Sequence, residues 1–491
     1  MADAITLDAF IVIDAGSGSV KSFLISPRGE ILDRSERDWD RDNWRSDEAW
    51  SLILDSIREL LKRSEVNLIG ISSTSMREEF LLLDDSGKEI VYRLSDDSEK
   101  YGYKVLEEHG KQMYDSSGHW PVPNWMAGAI LPWLNHSQPV LFGKASSILM
   151  ISDWVNYRLC GEAATEGSSA CETSLFNISD RNWDWSVIDS LTLPRSIFPR
   201  VYNNGETIGT VNHETSRISG IPEGTPVVIG GADTQCGLLG MGTFKGEAAA
   251  VGGTTTPVQI VLDKPIFDPK RRTWSNNYLF NSQWILESNV GYTGRGIRWL
   301  RDEYGEGKKD YDWLNKLAEK IPIGSDGIQA YLGPHLFDSG PPYWTKDKLG
   351  NLPMEPTITG NHQFSLAVLA RSIFEANSYG VKANLDQLRG ISGLEFEYIR
   401  FSGGNSRSDL WMQIQADVLG VPVRVPLVHD ASAIGTAILA AIGTGYYIDA
   451  VEAVNNMVRV GKVFEPRREE SMKYQVHYSE WMKTREKLAR E

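Results

Sequence analysis

The stretch Ile11 to Ile25, IVIDAGSGSVKSFLI, opens as an apolar strand, passes through a turn of Ala, Gly and Ser, and resumes as a second strand. One carboxylate, Asp14, closes the first strand. A buried carboxylate without a basic neighbour in sequence is costly, so Asp14 is either hydrogen-bonded by the amides of its own turn or neutralised by a metal. Gly16, Ser17 and Ser19 leave backbone N–H groups uncovered and add hydroxyls, a combination that binds phosphate oxygens without lysine. An Asp that merely caps a tight turn is the plainer alternative.

Outward from this hairpin the periodicities alternate. DEAWSLILDSIRELLKRS places Trp50, Ile53, Leu54, Ile57, Leu60 and Leu61 at helical spacing, which predicts one amphipathic helix. NLIGISS reads as a buried strand leading into TSMREE, and EFLLLDDSGKEIVYRL as a hairpin turning at Asp85, Ser86 and Gly87. ILMISDWVNYRLCGE reads as a helix, in which Asp153 and Trp154 either border a pocket or belong to the core. Near residue 226 the pattern restarts: TPVVIGGADTQCGLLGMG gives strand, glycine turn and helix, followed by GEAAAVGGTTTPVQIVLD. Setting Ile11 over Ala248 places Gly16 over Gly253, Ser17 over Thr254 and Ser19 over Thr256. Two copies of strand, small-residue turn and strand suggest two related domains, with chance similarity of two hairpins as the alternative.

Composition limits the classes of function. A chain of 491 residues, 41% hydrophobic and 23% charged, is a soluble globular type with room for about two or three domains. No window reaches the about eighteen apolar residues of a membrane span, and MADAITLDAF lacks the pattern of a signal peptide, so the expectation is a cytoplasmic protein with no membrane partner. A formal charge of −15 argues against a nucleic-acid partner. Three cysteines, Cys160, Cys171 and Cys236, have no metal-ligand spacing and read as buried reduced thiols.

A third glycine turn lies in YIRFSGGNSRSDLWMQIQADVLGVPV, where a strand meets Gly403 and Gly404, Ser406 stands where a helix N-cap belongs, and an amphipathic helix follows. Asp233, like Asp14, follows an apolar strand and precedes small residues. Paired carboxylates beside phosphate-type turns suit Mg²⁺, which keeps several waters and bridges substrate phosphates. None of the turns has Walker or dinucleotide spacing.

IDAGSGSVK, SMREE, GGADTQCGLLG, GGTTTP, FSGGNSRSDLWMQIQADVLGVPV and HDASAIGTAILAA occur in the order found in the FGGY carbohydrate kinases. The resemblance runs from about Phe10 to the C-terminal helix. It implies an α/β fold of two actin-like ATPase (ribonuclease H-like) domains with a central cleft, residues 1–244 carrying the sugar side and residues 245–491 the ATP side. SMREE, ILMISDWVNYRLCGE and SNVGYTGRGIRWLRD look most like the autoinducer-2 kinase branch, with xylulokinases and glycerol kinases similar over the shared motifs. ATP and Mg²⁺ are the cofactors implied, with a small sugar or polyol as the acceptor.

Carried over residue by residue, the resemblance makes Asp233 the catalytic base and, with Asp14, the holder of the metal. Ser17, Ser19, Gly253 and Thr254 would line the phosphate turns, and Gly403, Gly404 and Asn405 the adenosine turn. Lys21 would either meet phosphate or pair at the surface. Arg77 and Glu78 match residues that grip polyol hydroxyls, with an intrachain salt bridge as the alternative. Asp97 matches an acidic substrate position, although Ser95 and Glu99 replace the Asn and Arg that often flank it, which leaves the sugar open. Members of the family are often dimers, and the acidic surface neither requires nor excludes a homodimer. A chaperone-like or filament ATPase and a sugar sensor are the rival readings; the first leaves SMREE and GGADTQCG facing no substrate, and the second has no use for both carboxylates.

Overall fold

The structure, a computed structural model, describes residues 7–40, 44–306, 310–333, 336, 338, 348–349, 352–353, 357–360 and 363–490. It contains two compact units: Met1–Gly242 with Ser275–Trp284 and Asp430–Val458, and Thr243–Trp274 with Ile285–His429 and Arg459–Glu491. The first is built on strands β1 (Leu7–Ala15), β2 (Ser19–Ile25), β3 (Ile31–Asp38), β4 (Val66–Ser75), β5 (Thr207–Thr210) and β6 (Pro226–Ala232), in the spatial order β5-β6-β4-β1-β2-β3. The amphipathic helix forms at Ser46–Arg63 and turns Trp50, Ile53, Leu54, Ile57 and Leu60 into a core shared with Ile11, Ile13 and Leu24. Each such side chain contributes roughly 1.5–3 kcal/mol by leaving water. Trp154 joins this core, at 1% exposure.

The sheet of the second unit contains β7 (Ala248–Val251), β8 (Pro257–Leu262), β9 (Trp284–Asn289), β10 (Ile399–Ser402), β11 (Val423–Pro426) and β12 (Val460–Phe464), in the order β9-β8-β7-β10-β11-β12. Its pairings repeat those of the first sheet. From the edge, β5 to β6 is antiparallel, β6 to β4 and β4 to β1 are parallel, and β1 to β2 is antiparallel. From β12 through β11, β10 and β7 to β8 the senses are the same. Four matching pairings in one order answer the repeat question in favour of two related folds. The hairpins differ by one residue in register, since Ile13 faces Ser22 while its counterpart Ala250 faces Val258.

Four local expectations are corrected. The hairpin expected at residues 79–94 turns at Asp85, Ser86 and Gly87, with Leu83 bridged to Glu89 and the Ile90 amide donating to the Leu82 carbonyl at 2.7 Å, but its return arm is no strand, and Phe80–Leu83 takes its ladder partner from Ser147–Met150. Those latter residues, expected to be helical, are therefore extended, and the helix occupies Ile151–Cys160. Gly230 and Gly231 form no turn: they lie inside β6, and the helix Asp233–Gly240 starts directly after it. The N-cap of the helix Asp409–Leu419 is Ser408, since a 3₁₀ turn at Gly404–Arg407 delays the helix. The cysteines are unpaired, with Cys171 and Cys236 buried and Cys160 half-buried. Among the described residues no helix is long and apolar enough to cross a membrane.

The first unit takes in residues beyond a division at 244/245 because the helix Ala431–Gly443 packs on the helix Asp233–Gly240 at backbone distance. A Cβ on Gly435 would lie 1.9 Å from the carbonyl oxygen of Cys236, and one on Gly240 would lie 1.9 Å from that of Ala431. Ala433 and Ala437 are fully buried on the same helix. Gly435→Ala is expected to destabilise the protein by about 1–3 kcal/mol, read as a lower melting temperature. Gly390→Ala, in the helix Leu366–Ser392 with no atom within 4 Å of the new methyl, should raise stability by up to about 1 kcal/mol.

Candidate active site

Three neighbouring parallel strands of the first unit end at one level. Ala15 of β1 is the register partner of Ser75 in β4, and Ser75 is the partner of Ala232 in β6. Asp14, Arg77 and Asp233 therefore leave the carboxyl ends of adjacent strands, the edge at which open α/β sheets bind ligands. The approach of β6 to β4 depends on Gly230, where a Cβ would lie 1.9 Å from the carbonyl oxygen of Ser73. Thr74 Oγ1 donates to the Gly231 carbonyl at 2.7 Å and holds the same junction.

Both carboxylates are only partly covered by protein, yet both are hard to ionise. Burial pushes Asp233 up to about 7, against Arg77, which lowers it, and with Asp14, which raises it further. Burial likewise pushes Asp14 up to about 6, with Lys21 lowering it and Asp430 raising it. Asp233 Oδ1 accepts a 2.6 Å hydrogen bond from the Thr234 amide. Lys21 is the register partner of Asp14 on β2, so its charge acts within the site.

The remaining expected residues divide. Ser17 lines a cavity of about 290 Å³ together with Met76 and Glu79, so the first turn and the segment after β4 open onto one space. Ser19 Oγ donates to Glu36 at 3.0 Å, and the turn is closed by the Gly16 amide on the Ser19 carbonyl. Arg77 pairs with Glu172 at 3.2 Å, a long-range partner that sequence did not reveal. Glu172 is fully buried; burial raises its pKa, but Arg77 and His119 outweigh that and leave it below its ordinary value. Glu78 adopts φ +68°, a left-handed conformation that costs energy in a residue other than glycine and that clusters at functional sites. Asp97 is 89% exposed in the first turn of the helix Asp96–Ser117, with Lys100 at 3.7 Å. Ser95 caps that helix in a capping box with Ser98.

In the second unit, Gly253, Thr254, Gly404 and Asn405 line a cavity of about 550 Å³, whose apolar walls include Ile297, Phe374 and Trp411. That volume falls in the range of small-molecule and cofactor sites. Its glycines bring backbone segments together: Gly403, at φ +85°, would place a Cβ 2.5 Å from the Gly252 carbonyl oxygen, and Gly294 would place one 2.1 Å from that of Gly253. Asn405 Nδ2 reaches the Gly253 carbonyl at 3.4 Å.

Residues 9–240 match the N-terminal domain, and residues 248–444 the C-terminal domain, of the FGGY family of carbohydrate kinases. The chain belongs to that family. The FGGY kinase fold is shared with gluconate kinase from Lactobacillus acidophilus (TM-score 0.85, 19% identity, 99% of both chains). It is also shared with Plasmodium falciparum glycerol kinase with ADP (TM-score 0.82, 18% identity, 98% of both). Among named relatives, the autoinducer-2 kinase of Yersinia enterocolitica serotype O:8 / biotype 1B is 30% identical over 503 residues, covering 96% of this chain and 93% of the relative. As an FGGY member the protein is a carbohydrate kinase, and its family uses ATP as phosphoryl donor.

The donor set fits Mg²⁺. Among the described residues no group of three metal-ligating side chains exists, and Mg²⁺ needs only one or two carboxylates beside phosphates and water. Asp14 and Asp233 are two carboxylates that resist ionisation, and Asp14 adds to the cost at Asp233. Sequence reasoning missed Glu172, His119 and the apolar cavity walls; Trp411, three residues after Ser408, was signalled only by the amphipathic helix.

Because both pKa values lie above the ordinary 3.8, the folded protein binds protons that the unfolded chain has released between about pH 4 and pH 7. These two groups therefore make stability fall as pH rises through that window. Without divalent cations, Asp233→Asn should melt higher than the wild type at about pH 8, and the difference should shrink towards about pH 4. Equal melting shifts at both pH values would contradict this.

Proposed function

We propose that the protein transfers the γ-phosphoryl group of ATP to a hydroxyl of a small polyol-like sugar, with Asp233 as general base. The observation that carries this reading is the convergence of Asp233, Asp14 and Arg77 at the ends of β6, β1 and β4. The Asp233 carboxylate accepts the proton of the acceptor hydroxyl as that oxygen bonds to the γ-phosphorus and the bond to the ADP oxygen breaks. A base near pH 7 is matched to that task. Arg77 orients the acceptor, and Ser17, Ser19 and Lys21 face the phosphates. Mg²⁺, held by Asp14 and Asp233, would neutralise phosphate charge. The 550 Å³ cavity takes the adenosine, with Gly404 and Asn405 at its edge, Gly403 preceding them in the same turn, and Gly253 and Thr254 as its phosphate turn. ATP dependence also suits a cytoplasmic enzyme.

For the acceptor we favour 4,5-dihydroxy-2,3-pentanedione, because the autoinducer-2 kinase relative matches over nearly the whole chain. The exposure of Asp97 and the capping role of Ser95 speak against a sugar read by that segment. ADP release measured with this compound, D-xylulose and glycerol ranks the acceptors, and a clear preference for D-xylulose would replace the first choice.

Asp233→Asn should reduce turnover at least about 100-fold while ATP binding remains measurable by calorimetry; near-normal turnover would remove the mechanism. Gly403→Ala should raise KM for ATP and leave KM for the acceptor within about twofold, since its methyl meets backbone at the nucleotide turn. An unchanged KM for ATP would move the nucleotide elsewhere.

A further inference from the structure

Glu172 takes no part in the chemistry above, yet it is a fully buried carboxylate held between two side chains from distant segments. Its Oε1 accepts from Arg77 Nη1 at 3.2 Å, and its Oε2 lies 3.2 Å from His119 Nε2. His119 is itself fully buried, with Nδ1 3.1 Å from the Ser117 carbonyl oxygen. A buried ion pair is a poor way to gain stability, because desolvation offsets most of its attraction. Its presence here points to a geometric role.

The surroundings of Glu172 define that role. It lies in the 3₁₀ turn Cys171–Thr173, which continues the helix Gly167–Ala170. Glu166 caps that helix, accepting from the amides of Ser168 at 2.6 Å and Ser169 at 2.8 Å. Ser168 Oγ in turn accepts from the amide of Ala232 at 3.0 Å, one residue before Asp233. Asn204 Nδ2 ties Glu166 to the Gly230 carbonyl, 2.6 Å from each. One short segment, 166–173, thus grips the backbone that carries Asp233 and the side chain of Arg77.

We infer that Glu172 is a positioning residue: braced by His119, it holds the Arg77 guanidinium at the ends of β4 and β6 in the pose that meets the acceptor beside Asp233. A long arginine side chain samples many rotamers, and fixing it before substrate arrives removes that ordering from the binding step. Glu172 reaches the acceptor through Arg77, and its charge is the smallest of the influences on Asp233, so its effect falls mainly on acceptor recognition.

This inference rests on the proposed acceptor site. Its test is steady-state ADP release by the full-length protein with 4,5-dihydroxy-2,3-pentanedione, D-xylulose or glycerol. Wild type, Glu172→Gln, Arg77→Gln and the double variant are compared. Glu172→Gln should raise KM for the acceptor about tenfold or more, leave KM for ATP within about twofold, and add no further loss of acceptor kcat/KM in the Arg77→Gln background. A purely structural Glu172 would lower the melting temperature and the active fraction with an unchanged acceptor KM; that result, or additive losses, overturns the inference. If Glu172→Gln does not fold, the double variant, which leaves Arg77 and Glu172 both neutral, is compared with Arg77→Gln alone. Equal acceptor kcat/KM then sustains the inference, and a further tenfold loss overturns it. A wild-type protein that releases no ADP with any of the three acceptors overturns the functional reading together with the inference, whereas an active wild type with a normal Glu172→Gln overturns the inference alone.

Discussion

The constraint on which the first unit depends is the common level at which β1, β4 and β6 end. The register partners Ala15, Ser75 and Ala232 fix that level, and only a glycine at position 230 lets β6 come close enough to β4. Everything reactive is placed within two residues of it. The cost is electrostatic: burial pushes both Asp14 and Asp233 up, and Asp14 adds to the shift of Asp233. Lys21 and Arg77 offset part of that cost. What remains is a pair of carboxylates held above their ordinary pKa at one strand edge, a donor set that suits a divalent cation.

The second unit repeats the pairing pattern without repeating the carboxylate. Val251 stands where the overlay puts Asp14, and the second turn carries Gly253 and Thr254 where the first carries Gly16 and Ser17. A turn that keeps its backbone donors but loses its anionic side chain is suited to an anion. The cavity beside it is walled by Ile297, Phe374 and Trp411, side chains that suit the flat, largely apolar face of a base. One hairpin plan thus supports two chemistries, separated by a single residue at the strand end.

The repeat, the amphipathic helix and the three glycine turns were legible in sequence because each is a local pattern: strand alternation, helical spacing, or small residues between apolar runs. The errors arise where a distant strand, a close backbone approach or a neighbouring turn decides the local structure. Phe80–Leu83 found its partner at Ser147–Met150, and no local signal announces a partner so far along the chain. Gly230 and Gly231 read as a turn because glycine commonly makes one, whereas here the missing Cβ serves interstrand approach. Ser406 and Ser408 are both acceptable N-caps, and only the 3₁₀ turn at Gly404–Arg407 decides between them. The pairing of Arg77 was open for the same reason: both a polyol grip and a salt bridge were stated, and the salt bridge went to a residue in another segment.

That last point bears on how specificity is built. Asp97 belongs to a continuous segment, RLSDDSEKYG, and such a segment invites a substrate role because it can be compared position by position. Its carboxylate stands in solvent at a helix N-terminus, where the helix dipole and Lys100 favour negative charge without any ligand. Glu172 and His119 are isolated in sequence, and their grouping with Arg77 emerges in the fold. A buried charge has few tolerable replacements, because removing one partner strands the rest without water. A change in this cluster therefore acts by moving one guanidinium and leaves the strand ends as they are.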